Sequence, residues 1–219
     1  MGLFGLFKKS ATPYKDAATN LIYELLFCDD INLYKSNHRQ PVNYPWDVLF
    51  SDIVNTSDLQ KVIADSNTES RVKILAYNKL IANGQKADKK ELLGVIVEVG
   101  VDQGLDVLAS FSDGTARYIN QMGGIIIWEA HDNTSSFLTK KLFDNSFEVV
   151  KQIGPWDKPR RPRPPKGNVR ITFLVSDGLY FGEGPMNVLF NDPLAAPALV
   201  SAMELMKYLM EKSKKETTS

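Results

Sequence analysis

The chain has 219 residues, of which 43% are hydrophobic and 24% are charged, so most of it should bury a core rather than stay disordered. Its 26 basic and 26 acidic residues give a formal net charge of zero, which argues against a surface built as a whole to hold nucleic acid. Cys28 is the only cysteine, which excludes an internal disulfide framework and a CxxC zinc or redox site, and favours a reducing, cytoplasmic location.

The first residues of the chain, MGLFGLFKKS, place apolar side chains before Lys8 and Lys9. A signal peptide carries its charge first and has a longer apolar stretch, and no part of the sequence approaches the roughly 20 apolar residues that a membrane span needs. Myristoylation would require Ser or Thr at the position of Leu6. We therefore expect no membrane span and a frayed or docked terminus, with weak contact between this terminus and a membrane surface as the alternative.

Residues 13–28 predict the first helix, because Pro13 suits a first turn and apolar residues recur at helical spacing up to Cys28. The same stripe predicts that the Cys28 thiol is buried and structural. Residues 29–45 are polar and turn-rich, which is typical of a long loop.

Two more helices are predicted after this loop. The first opens at a capping-box pattern formed by Ser57 and Gln60, and the second ends at the stop signal Asn83-Gly84. We therefore expect residues 1–90 to form a mainly helical region.

At Leu92 the pattern changes from helical spacing to short apolar runs that are rich in β-branched residues. Glycine-containing turn signals separate these runs, and connections this short join antiparallel strands. The four predicted strands are LLGVIVEVG at 92–100, LDVLASF at 105–111, TARYIN at 115–120 and IIIW at 125–128. Asp132 or Asn133 then caps a helix that ends before Gly154.

A similar order of elements returns near the end of the chain. The predicted strands there are VRITFLV at 169–175, LYFG at 179–182 and NVLF at 187–190. Asp192 and Pro193 then open a C-terminal helix whose predicted apolar stripe includes Met203. Residues 105–152 and 169–212 thus form two strand-strand-strand-helix units.

Together these elements predict an α+β fold, with one antiparallel meander sheet at residues 91–219 and the helices of both units on the same face. The mainly helical region 1–90 is expected to pack on this sheet. The plan resembles, in topology alone, that of profilin-like and roadblock-like modules. Because those modules are mostly interaction platforms, the resemblance implies a role in binding other proteins.

Acidic residues are concentrated in the meander, where Arg117 is the only basic residue among seven carboxylates. The carboxylates are Glu91, Glu98, Asp102, Asp106, Asp113, Glu129 and Asp132. Most lie at turns or at outward-facing strand positions, which is typical of a solvated face. The alternative is pairing, within the chain or with a partner, to a basic segment farther along the sequence.

That basic segment is the connector at residues 155–167, which contains WDKPRRPRPPKG and has a local charge near +4. Its prolines favour an extended polyproline backbone, and its single aromatic residue leaves little for stacking on bases. We expect a stiff, exposed connector, with protein docking or nucleic-acid contact as the alternatives. The candidate binding residues are Trp156, Arg160, Arg161, Arg163 and Lys166.

The best candidate for catalysis or metal binding lies where the last strand of the meander is followed by a helix. Glu129 and His131 are two residues apart, and Asp132 is placed at the positive end of the next helix, which suits a metal or a proton relay. In the alternative interpretation, Asp132 is only a helix cap and His131 is a solvent-exposed loop residue. The sequence contains no phosphate-loop or dinucleotide motif, so no cofactor is expected.

We therefore expect a non-enzymatic, cytoplasmic protein-interaction or regulatory module that binds a protein partner or a second copy of itself. The first alternative is a metal-dependent hydrolase centred on Glu129, His131 and Asp132. The second alternative is nucleic-acid binding through the connector, which the neutral net charge makes the weaker candidate.

Overall fold

The computed structural model of the protein describes residues 12–39, 41–102, 104–130 and 132–217. Its helices are α1 (Ala17–Leu25), α2 (Ile31–Asn37), α3 (Trp46–Phe50), α4 (Thr56–Ala64), α5 (Ser70–Ala82), α6 (Asn133–Val150), α7 (Met186–Leu189) and α8 (Ala196–Thr217). Its strands are β1 (Leu92–Val101), β2 (Gly104–Phe111), β3 (Ala116–Ile119), β4 (Ile125–Trp128), β5 (Asn168–Val175) and β6 (Gly178–Pro185). Among the described residues, no helix is both long and apolar enough to cross a membrane.

These strands form one sheet in the order β4-β3-β2-β1-β5-β6, and every neighbouring pair is antiparallel. Gly114 and Gly123 make the tight turns of the meander, with φ angles of 86° and 88° that glycine adopts without strain. β1 lies near the centre of the sheet and is buried along most of its length, because elements cover both of its faces. The predicted α+β fold with an antiparallel meander sheet is confirmed.

Alternate strand residues pack into two separate cores, one on each face of the sheet. On one face, Leu93 and Ile96 of β1 pack with apolar residues of α1, α3, α4 and α5. On the other face, Val95 and Val97 pack with apolar residues of α6 and α8, which lie side by side. We call these the N-terminal face and the C-terminal face.

Residues 29–45 are not the long loop that was predicted, because α2 lies within them. Asp30 caps this helix by accepting a hydrogen bond from the Asn32 N–H at 2.9 Å. The Tyr34 ring stacks on the Trp46 ring, with 5.8 Å between the ring centroids. Tertiary packing therefore stabilises a helix that is too short to form alone.

Two boundaries in the helical region also differ from the prediction. α4 is capped by Asn55, whose side chain accepts the Ser57 N–H, so Ser57 lies inside the helix and is not its cap. α1 ends at Leu25, and Cys28 follows with a positive φ of 53°. The predicted burial of Cys28 is confirmed, and burial raises the pKa of its thiol to about 12.

Two predictions about the second strand-helix unit are wrong. The first three residues of NVLF belong to the short helix α7, and the fourth, Phe190, is its C-cap, so the unit has two strands and not three. Periodicity does not separate a strand from a helix over so few apolar residues. Pro185, the last residue of β6, has no N–H with which to continue the ladder. On α8, Met203 is 36% exposed, and the buried face consists of Ala198, Leu199, Ala202, Leu205 and Leu209.

Candidate functional site

Among the described strands, β4 is an outer strand of the sheet and pairs with β3 on one side only. The ladder between them begins where the Asn120 N–H donates to the Gly124 carbonyl at 2.9 Å. Hydrogen-bonded and non-hydrogen-bonded pairs alternate along an antiparallel ladder. Ile126 therefore bonds toward β3, whereas Ile125 and Ile127 direct their N–H and C=O groups away from it.

The side chains of β4 divide between burial and exposure. Ile127 is 59% exposed, and Met122 in the preceding turn is exposed as well. Trp128 anchors the strand, because its buried ring lies edge-on against Tyr208 of α8 at 6.0 Å. No residue that the structure describes forms a hydrogen bond with the outward main chain of Ile125 or Ile127. β4 is therefore an open edge with an apolar side chain beside it.

The candidate catalytic residues follow this open edge. The Glu129 side chain is 66% exposed and accepts a hydrogen bond at 2.7 Å from Arg117, whose side chain is buried. His131 lies outside the described residues. The contact seen for Glu129 is thus an ion pair at the margin of the sheet.

Asp132 is the N-cap of α6. Its Oδ1 accepts the Ser135 N–H at 2.7 Å in a capping box, and its Oδ2 accepts the Tyr208 hydroxyl at 2.5 Å. The hydrogen bonds from Ser135 and Tyr208 lower the pKa of Asp132. In the part of the chain that the structure describes, no three His, Cys, Asp or Glu side chains are arranged to hold a metal.

The connector covers the other outer strand, β6. The Trp156 N–H donates to the Leu179 carbonyl at 2.7 Å, which adds a main-chain hydrogen bond on the outer side of β6. The Trp156 ring lies edge-on against Phe181 at 5.0 Å, and its indole N–H donates to the Pro159 carbonyl at 3.1 Å. This aromatic residue of the connector therefore packs on the sheet.

Arg160 fastens the connector to the end of α1 and the residues after it. Its Nε donates to Asp29 at 2.8 Å, and its Nη2 donates to Glu24. The guanidinium also lies 3.8 Å from the centre of the Phe27 ring, in cation–π geometry. This predicted binding residue is thus used within the chain.

Beneath the connector, charged side chains form a row across β1, β5 and β6 on the N-terminal face. Arg170 donates to Glu183 from Nε at 2.8 Å and from Nη2 at 2.7 Å, and its Nη1 lies 3.5 Å from Glu98. Glu98 is fully buried and accepts the Tyr23 hydroxyl at 2.6 Å. Burial raises the pKa of Glu98, against the opposing effects of Arg170 and Tyr23.

The same row holds the connector on the sheet. Arg170 Nη1 donates to the Arg161 carbonyl at 3.1 Å, and its Nη2 donates to the Pro162 carbonyl. Farther along, the connector passes directly over Gly100 of β1. A Cβ at Gly100 would lie 2.1 Å from the Pro165 carbonyl oxygen, so only glycine fits there. The connector is therefore held at several points along its length.

The remaining basic residues of the connector lie closer to the surface. The Arg161 side chain is 52% exposed, with Nη1 at 3.9 Å from Glu183. Lys166 pairs with Asp102, and both of these side chains are exposed. Arg163 forms no hydrogen bond or ion pair with the residues that the structure describes. Arg161, which is exposed, and Arg163, which is half-buried, are thus the arginines of the connector with the least internal pairing.

Reasoning from sequence missed the pairing of Glu98 with Arg170. The prediction of a solvated face for the acidic residues is wrong for Glu98, which lies in the protein interior. A signal was present, because each of these two charged residues interrupts an otherwise apolar predicted strand. Buried charges are usually paired, so opposite charges in two such strands favour placing the strands side by side.

No protein-family model matches the sequence, and no curated protein is similar enough to match it.

Proposed function

We propose that the protein is a non-enzymatic interaction module that binds an extended segment of a partner protein along β4. The observation that carries the proposal is the outward main chain of Ile125 and Ile127, which offers N–H donors and C=O acceptors to another strand. A segment that adds to a sheet edge gains affinity from such main-chain hydrogen bonds, and side-chain contacts make the binding specific.

The composition of β4 supports this role. Edge strands that must stay unpaired usually carry lysine, proline or a bulge, whereas β4 has four apolar residues in regular register with β3. The exposed Ile127 would pack against apolar side chains at alternate positions of the added strand. Glu129, exposed just beyond β4, favours a basic residue at the corresponding end of the partner segment.

A cytoplasmic location is part of this proposal. Cys28 is the only cysteine of the chain, and it is a buried free thiol. A chain that forms no disulfide of its own suits a reducing compartment.

The substitution Ile127→Lys tests the proposal, because lysine on an edge strand discourages pairing without removing a hydrogen bond of the sheet. Ile53→Lys is the matched control, since Ile53 is 83% exposed and lies between α3 and α4. The partner would be captured with the wild-type chain, purified and titrated by calorimetry against each variant. We expect a loss of affinity of about tenfold or more for Ile127→Lys and no loss for Ile53→Lys.

Thermal unfolding serves as the folding control, and both lysine variants should unfold at the wild-type temperature. If the partner is a second copy of the chain, sedimentation should show a wild-type dimer that Ile127→Lys converts to a monomer. Equal affinity of Ile127→Lys and the wild type for the partner would contradict the proposal.

A further inference from the structure

The open edge of β4 can pair with the same strand of a second copy of the chain. Ile125 and Ile127 direct their main-chain groups away from β3, and a two-fold axis brings two copies of a strand together antiparallel. Hydrogen bonds then require that the outward residues of one strand face the outward residues of the other. Three symmetric registers meet this requirement, with the axis at Ile125, at Ile126 or at Ile127.

The side chains favour the register with the axis at Ile126. In this register Ile125 of each copy faces Ile127 of the other, so four isoleucines form one apolar cluster on the N-terminal face, where Ile125 already packs. Ile126 faces its own counterpart on the C-terminal face. An axis at Ile127 would instead place Ile125 opposite the charged Glu129. An axis at Ile125 would place Ile127 opposite Gly123, which has no side chain to contact it.

The larger residues that follow the isoleucines have room in this register. Trp128 of one copy faces Gly124 of the other, and Glu129 faces Gly123. Because both glycines lack a side chain, nothing directly across the shared ladder obstructs Trp128 or Glu129.

The charge at the end of β4 also meets a suitable surface. Gly123 lies against the first turn of α1, since a Cβ at Gly123 would be 3.6 Å from the Thr19 hydroxyl oxygen. The exposed Lys15 lies just before this turn, and the carboxylate of Asp16 beside it already accepts the N–H and the hydroxyl of Thr19. Glu129, whose side chain is 66% exposed, therefore approaches a basic residue of the second copy.

The two edges of the sheet differ in a way that favours a closed dimer. The β6 edge carries the connector, where the Trp156 N–H bonds the Leu179 carbonyl. Pairing of β4 with β6 of another copy would have to displace Trp156, and repeated head-to-tail pairing would give an open filament. Symmetric pairing uses the β4 edges of both copies at once and stops at two copies.

We propose that the segment bound along β4 is β4 of a second copy, paired antiparallel about a two-fold axis at Ile126. Ile125 and Ile127 of opposite copies form two hydrogen-bonded pairs, and each pair exchanges two main-chain hydrogen bonds. This inference rests on the proposed function, because it uses the same open edge and names the strand that fills it. Two four-residue strands make a small contact, so we expect reversible association in the micromolar range or weaker.

Sedimentation equilibrium over a range of concentrations tests the association with the full chain. We expect a monomer–dimer equilibrium for the wild type and for the control Ile53→Lys, because Ile53 lies between α3 and α4 and has no part in the contact. Ile127→Lys should weaken dimerisation by about tenfold or more, because two lysines would enter the isoleucine cluster. At concentrations where all three are monomeric, they should unfold at the same temperature.

Oxidative cross-linking of cysteine variants tests the register. Cys28, the only native cysteine, is buried and should not react. Ile126→Cys places two thiols in a non-hydrogen-bonded pair with Cα atoms about 4.5 Å apart, a distance that a disulfide spans. Ile127→Cys is the matched control, since its two Cα atoms would be diagonal neighbours about 7–8 Å apart, at or beyond the usual limit for a disulfide.

The two cysteine variants should differ in rate. We expect Ile126→Cys to form the covalent dimer about tenfold or more faster than Ile127→Cys. Random collision would give the opposite order, because Ile127 is 59% exposed and Ile126 is partly buried. Thermal unfolding under reducing conditions checks that both variants are folded.

Three outcomes would overturn the inference. If the wild type stays monomeric at millimolar concentration, the second copy is not the occupant of the edge, and a loss of affinity of Ile127→Lys for a captured partner would still support the proposed function. If Ile127→Lys dimerises as the wild type does, the contact between copies lies elsewhere. If Ile127→Cys cross-links as fast as Ile126→Cys or faster, the register is wrong.

Discussion

At the outer strand β6, the Trp156 N–H bonds the Leu179 carbonyl, and the connector lies over the sheet. At the outer strand β4, the outward groups of Ile125 and Ile127 meet no partner within the described chain, and Ile127 is exposed. Both strands are edges of the same sheet, and an unpaired edge invites association. Within the residues that the structure describes, the connector therefore covers the β6 edge, whereas the β4 edge stays uncovered.

Three parts of the chain that are distant in sequence contribute the side chains that hold the connector over the β6 side of the sheet. The end of α1 contributes Tyr23 and Glu24, the connector contributes Arg160, and the strands contribute Glu98 and Arg170. Buried ion pairs of this kind add little net stability, but they become strongly destabilising when one partner is removed. The closed side should therefore be sensitive to single substitutions, whereas the open side should tolerate them.

The largest effect is expected from removing residues 1–90. The fragment 91–219 would expose Ile96 and the rest of the N-terminal face, and it would lose the contacts of Tyr23 and Glu24 with the closed side. We expect this fragment to lack a cooperative unfolding transition, and we expect the full chain to unfold in a single calorimetric transition. Two separate transitions, or a stable soluble fragment, would show that the two regions fold independently.

Arg170→Leu should cause the next largest loss, about 3–5 kcal/mol of unfolding free energy, because it removes the guanidinium that pairs with the buried Glu98 and makes the shorter of the two contacts of Glu183 with arginine. Urea unfolding measures this loss. Arg163→Leu is the control within the connector, and it should change the stability by less than about 0.5 kcal/mol because Arg163 has no described ion pair. Similar stabilities of the two variants would mean that the charged row does not hold the closed side.

A smaller effect concerns the dependence of stability on pH. Burial holds the pKa of Glu98 above its ordinary value of 4.5, so the folded state binds this proton more tightly than the unfolded state. The stabilisation that this proton gives is complete at pH values below the pKa of Glu98 in the unfolded state. It is lost as the pH rises through the pKa of Glu98 in the folded state. Glu98→Gln can still accept the Tyr23 hydroxyl and should remove this loss. Stability curves of the variant and the wild type that run parallel above about pH 4 would contradict this assignment.

The smallest effect is expected at the open edge. Ile127→Pro removes an N–H that has no partner in the described chain, so it should lower the unfolding free energy by less than about 1 kcal/mol. Ile126→Pro removes an N–H that bonds to β3 and should cost about 3 kcal/mol. Chemical denaturation of the pair measures the contrast. Equal losses of unfolding free energy for the two proline variants would contradict the assignment of the Ile126 N–H to β3 and of the Ile127 N–H to the outer side.

Much of the fold could be predicted from local patterns, because strong signals mark its longer elements. Asn83-Gly84 ends α5, Asp132 caps α6, and glycine turns separate the strands of the meander as expected. α2 and α7 were missed because each is short and depends on packing against distant residues, for which local periodicity has no signal. The buried face of α8 also differs from the predicted one. Small residues such as Ala202 are buried and Met203 is not, and local periodicity has no signal for this choice of face.

The candidate site was harder to predict because it depends on the order of the strands. IIIW was expected to be a strand, but its place at the edge follows from the pairing of β1 with β5, which joins residues seventy or more positions apart. The same pairing brings Glu98 beside Arg170 and places the connector over the N-terminal face. The basic residues of the connector were predicted as a group, but burial and distance were needed to separate Arg160, which is bound internally, from Arg163.

Amide hydrogen exchange along β4 of the free chain tests the central claim most directly. If this edge is open, the amides of Ile125 and Ile127 exchange with solvent at nearly unprotected rates, while those of Ile126 and Trp128 are protected by their bonds to β3. Equal protection of all four amides in the free, monomeric chain would contradict the account, because it would mean that the outer side of β4 is already paired.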